Sequence, residues 1–245
     1  EDGEGVTVVK VFQFTHQVAD TLAEVPQPEP ALRLFLRGAE AASQAGLEDI
    51  SYEFFTQAFM LYEESVADSK AQVSALQLIV GTLQRCHVFG EENRAALVHK
   101  ATVSSTRLLR KPDQCRAVYA CASLFWGPEG VARDGDSVLV CLKRALKIAH
   151  AGQQMASAAR GAAGPTTLFV EILNKYIYFF DQGCEAITSQ AVQGVMELAA
   201  STMSPDSPPE ARAFLESTLK HIRLQKGKGG EVAERYEGVV IPGGA

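Results

Sequence analysis

The sequence predicts an all-α fold in which about ten helices pair into hairpins that stack side by side as a right-handed α-solenoid. Three observations predict it. Apolar residues recur at the helical spacing along nearly the whole chain, and the strict alternation of a half-buried strand is scarce. Proline, glycine or a capping residue interrupts this spacing at regular distances. Apolar residues make up 47% of the 245 residues, which is enough for a sizeable core and is not typical of a disordered chain.

The first half of the chain divides into five predicted helices. Residues 6–24 form the first, and the second covers about 28–46, between a proline-rich stretch and a glycine. The third covers about 48–66, and its aromatic residues are spaced to lie on one face. Asp68 supplies a capping oxygen for the fourth helix, and Gly90 separates the fourth helix from the fifth.

Five further helices are predicted in the second half. Pro112 favours a helix start, because its missing N–H would have no partner there in any case, and this helix extends to about residue 126. The next helix follows a glycine-rich loop and ends before residue 152. Pro165 opens a strongly apolar helix, and the last two helices cover about 185–201 and 208–224.

The helix starts are regularly spaced. The intervals are 40, 44, 53 and 43 residues between starts near Pro28, Asp68, Pro112, Pro165 and Pro208. A repeat of about 40–47 residues with two helices is the size of a HEAT-like unit. Such a hairpin has an apolar face that it cannot bury alone, so neighbouring hairpins must stack on one another. A compact ten-helix globule is the structural alternative.

We therefore expect one α-solenoid domain over residues 1–226. A flexible insertion near 152–164 consists mostly of Gly, Ala, Gln and Ser, and it accounts for the one long interval between helix starts. Residues 227–245 are Gly-rich and are expected to form a flexible tail, in which only the surroundings of Tyr236 are candidates for ordered structure.

Composition and charge exclude several classes of protein. The formal net charge is −6, whereas nucleic-acid-binding domains are typically basic, so no nucleic-acid partner is expected. No run reaches about 18 apolar residues, so no transmembrane helix is expected. The five cysteines are odd in number and widely spread, which favours a reducing compartment such as the cytoplasm. They include no CxxC pair, and we interpret them as small buried hydrophobic residues, with a zinc site as the alternative.

The sequence contains no recognisable catalytic motif. The nucleotide-binding patterns GxGxxG and GxxxxGK[ST] are absent, as are the hydrolase pattern GxSxG and the metalloprotease pattern HExxH. The five histidines fall on five different helices or helix ends. We therefore predict no catalytic residue, no cofactor and no metal. An enzyme whose site is assembled from scattered side chains remains an alternative class.

Two groups of charged residues at predicted helix ends are the candidate self-association site. The acidic group lies near the end of the third helix and comprises Glu63, Glu64 and Asp68. The basic group lies between the fifth and sixth helices and comprises Arg107, Arg110 and Lys111. Carboxylates at a helix C-terminus are mildly unfavourable with respect to the helix dipole. The two groups are either solvated helix ends or a complementary pair between copies, which would set register and association rate.

Trp126 is the candidate anchor of a partner interface. It is the only tryptophan of the chain, and it ends a predicted helix directly before Gly127 and Pro128. Tryptophan is enriched among the residues that contribute most to protein–protein binding. The run from Tyr176 to Phe180 is a second aromatic cluster, but its spacing favours the core over a binding surface.

Eight segments of the chain carry a resemblance to a known family. In chain order they are ALRLFLRG (31–38), SYEFFTQAFMLYEESVADSKAQ (51–72), GEEN (90–93), LLRKPDQ (108–114), CASLFW (121–126), CLKRALKIA (141–149), FVEILNKYIYFF (169–180) and YEG (236–238). They resemble the C-terminal part of the vacuolar protein sorting-associated protein 35 family, the large subunit of the retromer coat. Many separate motifs in the same order make the resemblance specific.

The resemblance implies a non-enzymatic HEAT-like scaffold that helps to retrieve membrane proteins from endosomes. It implies three partners: the small metallophosphoesterase-fold subunit (vacuolar protein sorting-associated protein 29), another copy of the same subunit, and the rest of the retromer complex. It also implies that the two charged groups are the contact between copies. The expected location is cytoplasmic and peripheral on endosomal membranes, through the coat only. A generic helical-repeat adaptor that binds short peptides is the alternative function.

Overall fold

A computed structural model describes residues 7–25, 28–127, 133–158, 166–204 and 207–241. In these ranges the regular structure is helical, apart from one isolated bridge between Trp126 and Arg133. The α-helices are α1 Val8–Ala23, α2 Pro28–Gln44, α3 Glu48–Ser65, α4 Ser69–Arg85, α5 Glu91–Arg107, α6 Lys111–Cys121, α7 Gly135–Ala158, α8 Thr167–Asp181, α9 Ser189–Ser201, α10 Pro209–Gly227 and α11 Gly230–Arg235. The predicted all-α class is confirmed.

The chain divides into two compact units, of which unit 1 contains α1 to α5 and unit 2 contains α6 to α11. In unit 1, α2 packs against α1, α3 and α4. In unit 2, α8 packs against α6, α7, α9 and α10. Helices α2 and α8 thus contact helices one and two positions away in the chain, which is the packing expected of stacked hairpins. The single domain over residues 1–226 and the handedness of the solenoid stay predictions.

A close approach between α2 and α3 centres the core of unit 1. Phe54 on α3 is buried, and its ring lies among those of Phe12, His16 and Phe35, with centroids 5.5 to 6.4 Å away. A Cβ atom at Gly38 would lie 2.6 Å from Cε1 of Phe54. Glycine at this position therefore allows the two helices to pack closely.

Helix α8 forms the core of unit 2, because nine of its 15 residues are buried and only one is exposed. Tyr176, Phe179 and Phe180 are inside, and only Tyr178 of the aromatic run is exposed, which confirms the core interpretation. The five cysteines are buried and free, as predicted. The predicted sixth helix ends earlier than expected, at Cys121, where a 3₁₀ turn over Ala122–Phe125 continues the chain.

The segment 152–164 differs from the predicted flexible insertion. Helix α7 continues to Ala158, because Gln, Met and Ala in this segment are good helix formers. A Cβ atom at Gly152 would lie 3.2 Å from Cβ of Lys111, so this glycine allows α7 to lie close to α6. Residues 159–164 lie outside the described part of the chain.

The Gly-rich tail was expected to be flexible except around Tyr236. Tyr236 is ordered, and the order extends further than expected, because residues 228–241 pack onto α8 and α9. Gly229 has a left-handed φ of 76°, which lets the chain turn after α10. Tyr236 is fully buried, donates a hydrogen bond of 2.5 Å to Oδ1 of Asp181, and lies edge-on to Phe180 at 4.9 Å. Val239 is fully buried as well. Residues 242–245 lie outside the described ranges.

We predict that Gly38→Ala lowers the free energy of unfolding. Overpacking of a core costs about 1–3 kcal/mol, which exceeds the roughly 1 kcal/mol that alanine gains over glycine in a helix. Gly81→Ala in α4 is the matched control, since a Cβ there would meet only the end of Arg85 at 3.8 Å. It should raise the free energy of unfolding, and urea unfolding followed by circular dichroism measures both. Equal effects of the two substitutions would show that the contact with Phe54 is unimportant.

Candidate docking surfaces

The acidic group and Arg107 lie at one end of unit 1, which we call the charged end. Tyr62 and Glu63 on α3, Gln72 on α4 and Arg107 on α5 line one depression of about 360 Å³. The end of α3, the start of α4 and the end of α5 are therefore neighbours in space. The structure thus brings an acidic and a basic member of the predicted site together within one unit.

Glu63 already forms an ion pair within unit 1. Its Oε2 atom lies 3.4 Å from Nζ of Lys100 on α5, and Lys100 lies 5.2 Å from the ring centroid of Phe59. Both side chains of the ion pair are about 40% exposed, so the pair contributes little to stability. Sequence reasoning missed Lys100, because the helical pattern does not show which positions of α3 and α5 face each other.

Glu64 and Asp68 differ in what they do within the chain. Oδ2 of Asp68 accepts a hydrogen bond of 2.8 Å from the backbone N–H of Ala71, so Asp68 caps α4 as the sequence predicted. Glu64 is exposed and has no hydrogen-bond or ion-pair partner within the described residues. Of the three acidic residues, Glu64 is therefore the one whose charge is most available to a partner.

The predicted basic group is divided between the two units. Arg107 is exposed at the end of α5, in unit 1, and it makes no ion pair with any described residue. Arg110 lies before α6 in unit 2, with Nε 3.7 Å from Oδ2 of Asp113. Lys111 donates a hydrogen bond of 3.0 Å to Oε1 of Gln114. Of the predicted basic group, Arg107 is therefore the member that lies in unit 1 and makes no ion pair with a described residue.

An apolar pocket, which sequence reasoning missed, adjoins the charged end. It lies between the starts of α2 and α4 and has a volume of about 580 Å³. Its walls include Leu32, Val66, Ala71, Ala75 and Leu78. Asp68 lies between Val66 and Ala71 in the chain and places a carboxylate beside the pocket. The pocket is called the α2–α4 pocket below.

Trp126 is partly buried in unit 2. Its ring lies edge-on to Phe179, with centroids 6.5 Å apart, and the guanidinium of Arg133 lies 5.1 Å from the ring centroid. The indole Nε1 is buried and has no hydrogen-bond partner among the described residues. Much of this side chain therefore stabilises unit 2 itself, and its role as a partner anchor stays a prediction.

A polar cluster in unit 2 joins α6 to α8. Nε and Nη2 of Arg116 each donate a hydrogen bond of 2.8 Å to Glu171, and the hydroxyl of Tyr119 donates one of 3.0 Å. The hydrogen bond to Glu171 raises the pKa of Arg116, and burial followed by the nearby carboxylate raises the pKa of Tyr119. Arg116 therefore stays charged and the hydroxyl of Tyr119 stays protonated at neutral pH, so neither group is set up to exchange protons in a reaction. We interpret the cluster as a structural link that positions α6 against α8.

Two buried thiols, Cys115 and Cys141, are poor nucleophiles. Burial raises the pKa of Cys115 to about 12 and that of Cys141 to about 11, so both are protonated at neutral pH. Within the described residues, no three His, Cys, Asp or Glu side chains are grouped so that they could hold a metal ion. In the same residues we find no helix whose length and hydropathy would let it span a bilayer.

Comparison with known proteins gives consistent matches. The family model of vacuolar protein sorting-associated protein 35 matches residues 2–202. The chain is 57% identical over 243 residues to vacuolar protein sorting-associated protein 35B of Arabidopsis thaliana. The aligned region covers 97% of this chain and 31% of the relative. It is 39% identical over 183 residues to vacuolar protein sorting-associated protein 35 of Schizosaccharomyces pombe. This aligned region covers 71% of this chain and 21% of the relative. The chain therefore spans less than a third of the length of these relatives.

We predict that Asp68→Ala lowers the free energy of unfolding by about 1 kcal/mol, because the cap of α4 is lost. Asp68→Asn is the matched control, since asparagine caps a helix about as well as aspartate but carries no charge. Urea unfolding should therefore give a lower free energy of unfolding for Asp68→Ala than for the wild type and Asp68→Asn, which should be similar. Equal stabilities of all three proteins would contradict a capping role.

Proposed function

The chain belongs to the vacuolar protein sorting-associated protein 35 family, and we propose that it is part of a non-enzymatic scaffold of the retromer coat. In this proposal the coat sorts membrane proteins at endosomes for retrieval. The chain binds the small metallophosphoesterase-fold subunit, vacuolar protein sorting-associated protein 29, and another copy of itself. It acts without a cofactor, and it lies in the cytoplasm, attached to endosomal membranes only through the coat.

One observation carries the self-association: charges of both signs share one end of unit 1. A two-fold symmetric interface uses the same patch on both copies, so the patch must be complementary to itself. The charged end meets this requirement, because Arg107 of one copy can pair with Glu64 of the other, and the reverse. Exposed ion pairs contribute little affinity, so their main effects are on register and association rate. Salt should weaken the association.

We predict that replacing Arg107, Arg110 and Lys111 by Glu abolishes self-association. The reversal turns each attractive contact with the acidic group into a repulsive one, on both sides of a symmetric interface. Arg107→Glu alone should weaken the dimer at least about tenfold, which corresponds to 1.4 kcal/mol. Adding Glu64→Arg should restore part of that loss. Sedimentation equilibrium at physiological salt measures all of these.

Arg212→Glu is the matched control for the charge reversals. Arg212 is exposed on α10 in unit 2 and makes no ion pair with a described residue. Its reversal should leave the dimer unchanged. Self-association of the triple variant that equals the wild type would mean that the basic residues are solvated helix ends.

We predict that the chain and the small subunit form a complex of defined stoichiometry, with a Kd below about 1 μM. Isothermal titration calorimetry with purified small subunit measures both quantities. The triple charge variant should bind with the same affinity, because self-association and small-subunit binding use different surfaces in this proposal. Absence of binding, or equal binding of unfolded small-subunit peptides, would favour a peptide adaptor instead.

A further inference from the structure

We propose that Leu109 is an apolar knob that inserts into the α2–α4 pocket of a second copy of the chain. The inference rests on the proposed self-association and adds a specific apolar contact to it. The charges of the charged end would then bring two copies together, while the knob fixes how they fit.

Leu109 is held in an exposed position by its surroundings. It is 83% exposed, more than any other large hydrophobic residue in the described chain. The preceding Leu108 is buried and has an extended backbone (φ −58°, ψ 138°), as does the following Arg110 (φ −87°, ψ 129°). Leu109 and Arg110 form a bend between α5 and α6, and both side chains are exposed there while Leu108 packs inside. Pro112 restricts the backbone just beyond.

The α2–α4 pocket has the size and lining that a leucine side chain requires. Its volume of about 580 Å³ exceeds that of one leucine, which leaves room for part of the neighbouring backbone. Three of its wall residues, Leu32, Val66 and Ala75, are buried in the core of unit 1, so that part of the wall belongs to the packed interior. The pocket is therefore formed before any partner arrives, which reduces the entropy cost of binding.

Knob and pocket lie at the same end of unit 1. Leu109 follows the end of α5, and the pocket lies at the start of α4, whose Gln72 shares a depression with Arg107. A two-fold axis through this end would place each copy's knob near the other copy's pocket. Two identical insertions would then form together, which an unrelated partner protein could not provide.

The charges around the two features are complementary. Leu109 is flanked in the chain by Arg107 on one side and by Arg110 on the other. The pocket is lined by Glu29 and Arg33, which form an ion pair at 2.8 Å, and the carboxylate of Asp68 lies beside it, 2.8 Å from the backbone nitrogen of the wall residue Ala71. Insertion of the knob would carry Arg107 towards the carboxylate of Asp68. This complementarity favours a second copy of the chain as the occupant.

Two substitutions test the knob and the pocket separately. Leu109→Ser removes the knob, and Ser74→Trp fills the pocket from the exposed edge of α4. Burial of a leucine side chain changes an association constant by about tenfold to a hundredfold, so each variant should weaken the dimer at least about tenfold. Leu224→Ser is the matched control, since Leu224 is 68% exposed on α10 in unit 2. It should leave the dimer unchanged.

Salt dependence distinguishes the knob from the charges. The loss caused by Leu109→Ser should persist in high salt, because an apolar contact is not screened, whereas the loss caused by Arg107→Glu should shrink. Circular dichroism and thermal unfolding should match the wild type for Leu109→Ser and Ser74→Trp, since both side chains are exposed.

Crosslinking between copies is the decisive experiment. A tagged chain with Leu109→Cys, mixed with an untagged chain with Ser74→Cys, should give a mixed dimer with a short bismaleimide crosslinker. The native cysteines are all buried and should not react. The pair Leu109→Cys and Leu224→Cys should give no mixed product.

The failures of the two proposals are distinguishable. A wild type that stays monomeric at high micromolar concentration overturns self-association, and the knob with it. A wild-type dimer that is lost on charge reversal but unaffected by Leu109→Ser, with no crosslink to position 74, overturns the knob alone. In that case Leu109 serves another partner or none.

Discussion

The burial of one apolar face per helix determines the rest of this structure. An amphipathic helix cannot bury that face alone, so each helix depends on its neighbours. Helix α2 in unit 1 packs against three other helices and α8 in unit 2 packs against four, and both supply large parts of the core. The apolar side chains are used inside the units, so the turns and helix ends carry much of what a partner can reach. Glu64, Arg107 and Leu109 are all such positions.

Local chemistry made much of the fold predictable. The helical period, the prolines at helix starts and the cap at Asp68 act over a few residues, and the structure has the corresponding helices close to their predicted bounds, except at the ends of α6 and α7. The tail was not predictable in this way. Its order depends on Tyr236 reaching Asp181, 55 residues away in the chain, and composition alone indicated flexibility. The cluster of Arg116 and Glu171 spans a similar separation and was missed for the same reason.

The candidate site was predictable in part, because a charge at a helix end is visible in the sequence but its partners are not. The sequence indicated that Glu63 and Arg107 are placed at helix ends, and the structure shows that they line one depression. It did not indicate that Lys100 already contacts Glu63, or that Asp68 borders an apolar pocket. Both facts depend on which faces of α2, α3, α4 and α5 meet. Side-chain packing between helices determines which faces meet, and the helical period of a sequence does not show it.

Weak individual contacts would suit the proposed coat, whose subunits must assemble and separate again. An exposed ion pair contributes at most about 1 kcal/mol, and one apolar knob adds a limited amount of buried area. A dimer of free chains that depends on them would form only at micromolar concentrations. Once several subunits are held together on one membrane, however, further contacts become intramolecular and their effective concentration rises to the millimolar range. The charged end would then be occupied mainly within an assembled coat, so assembly rather than a tight dimer would control when two copies meet.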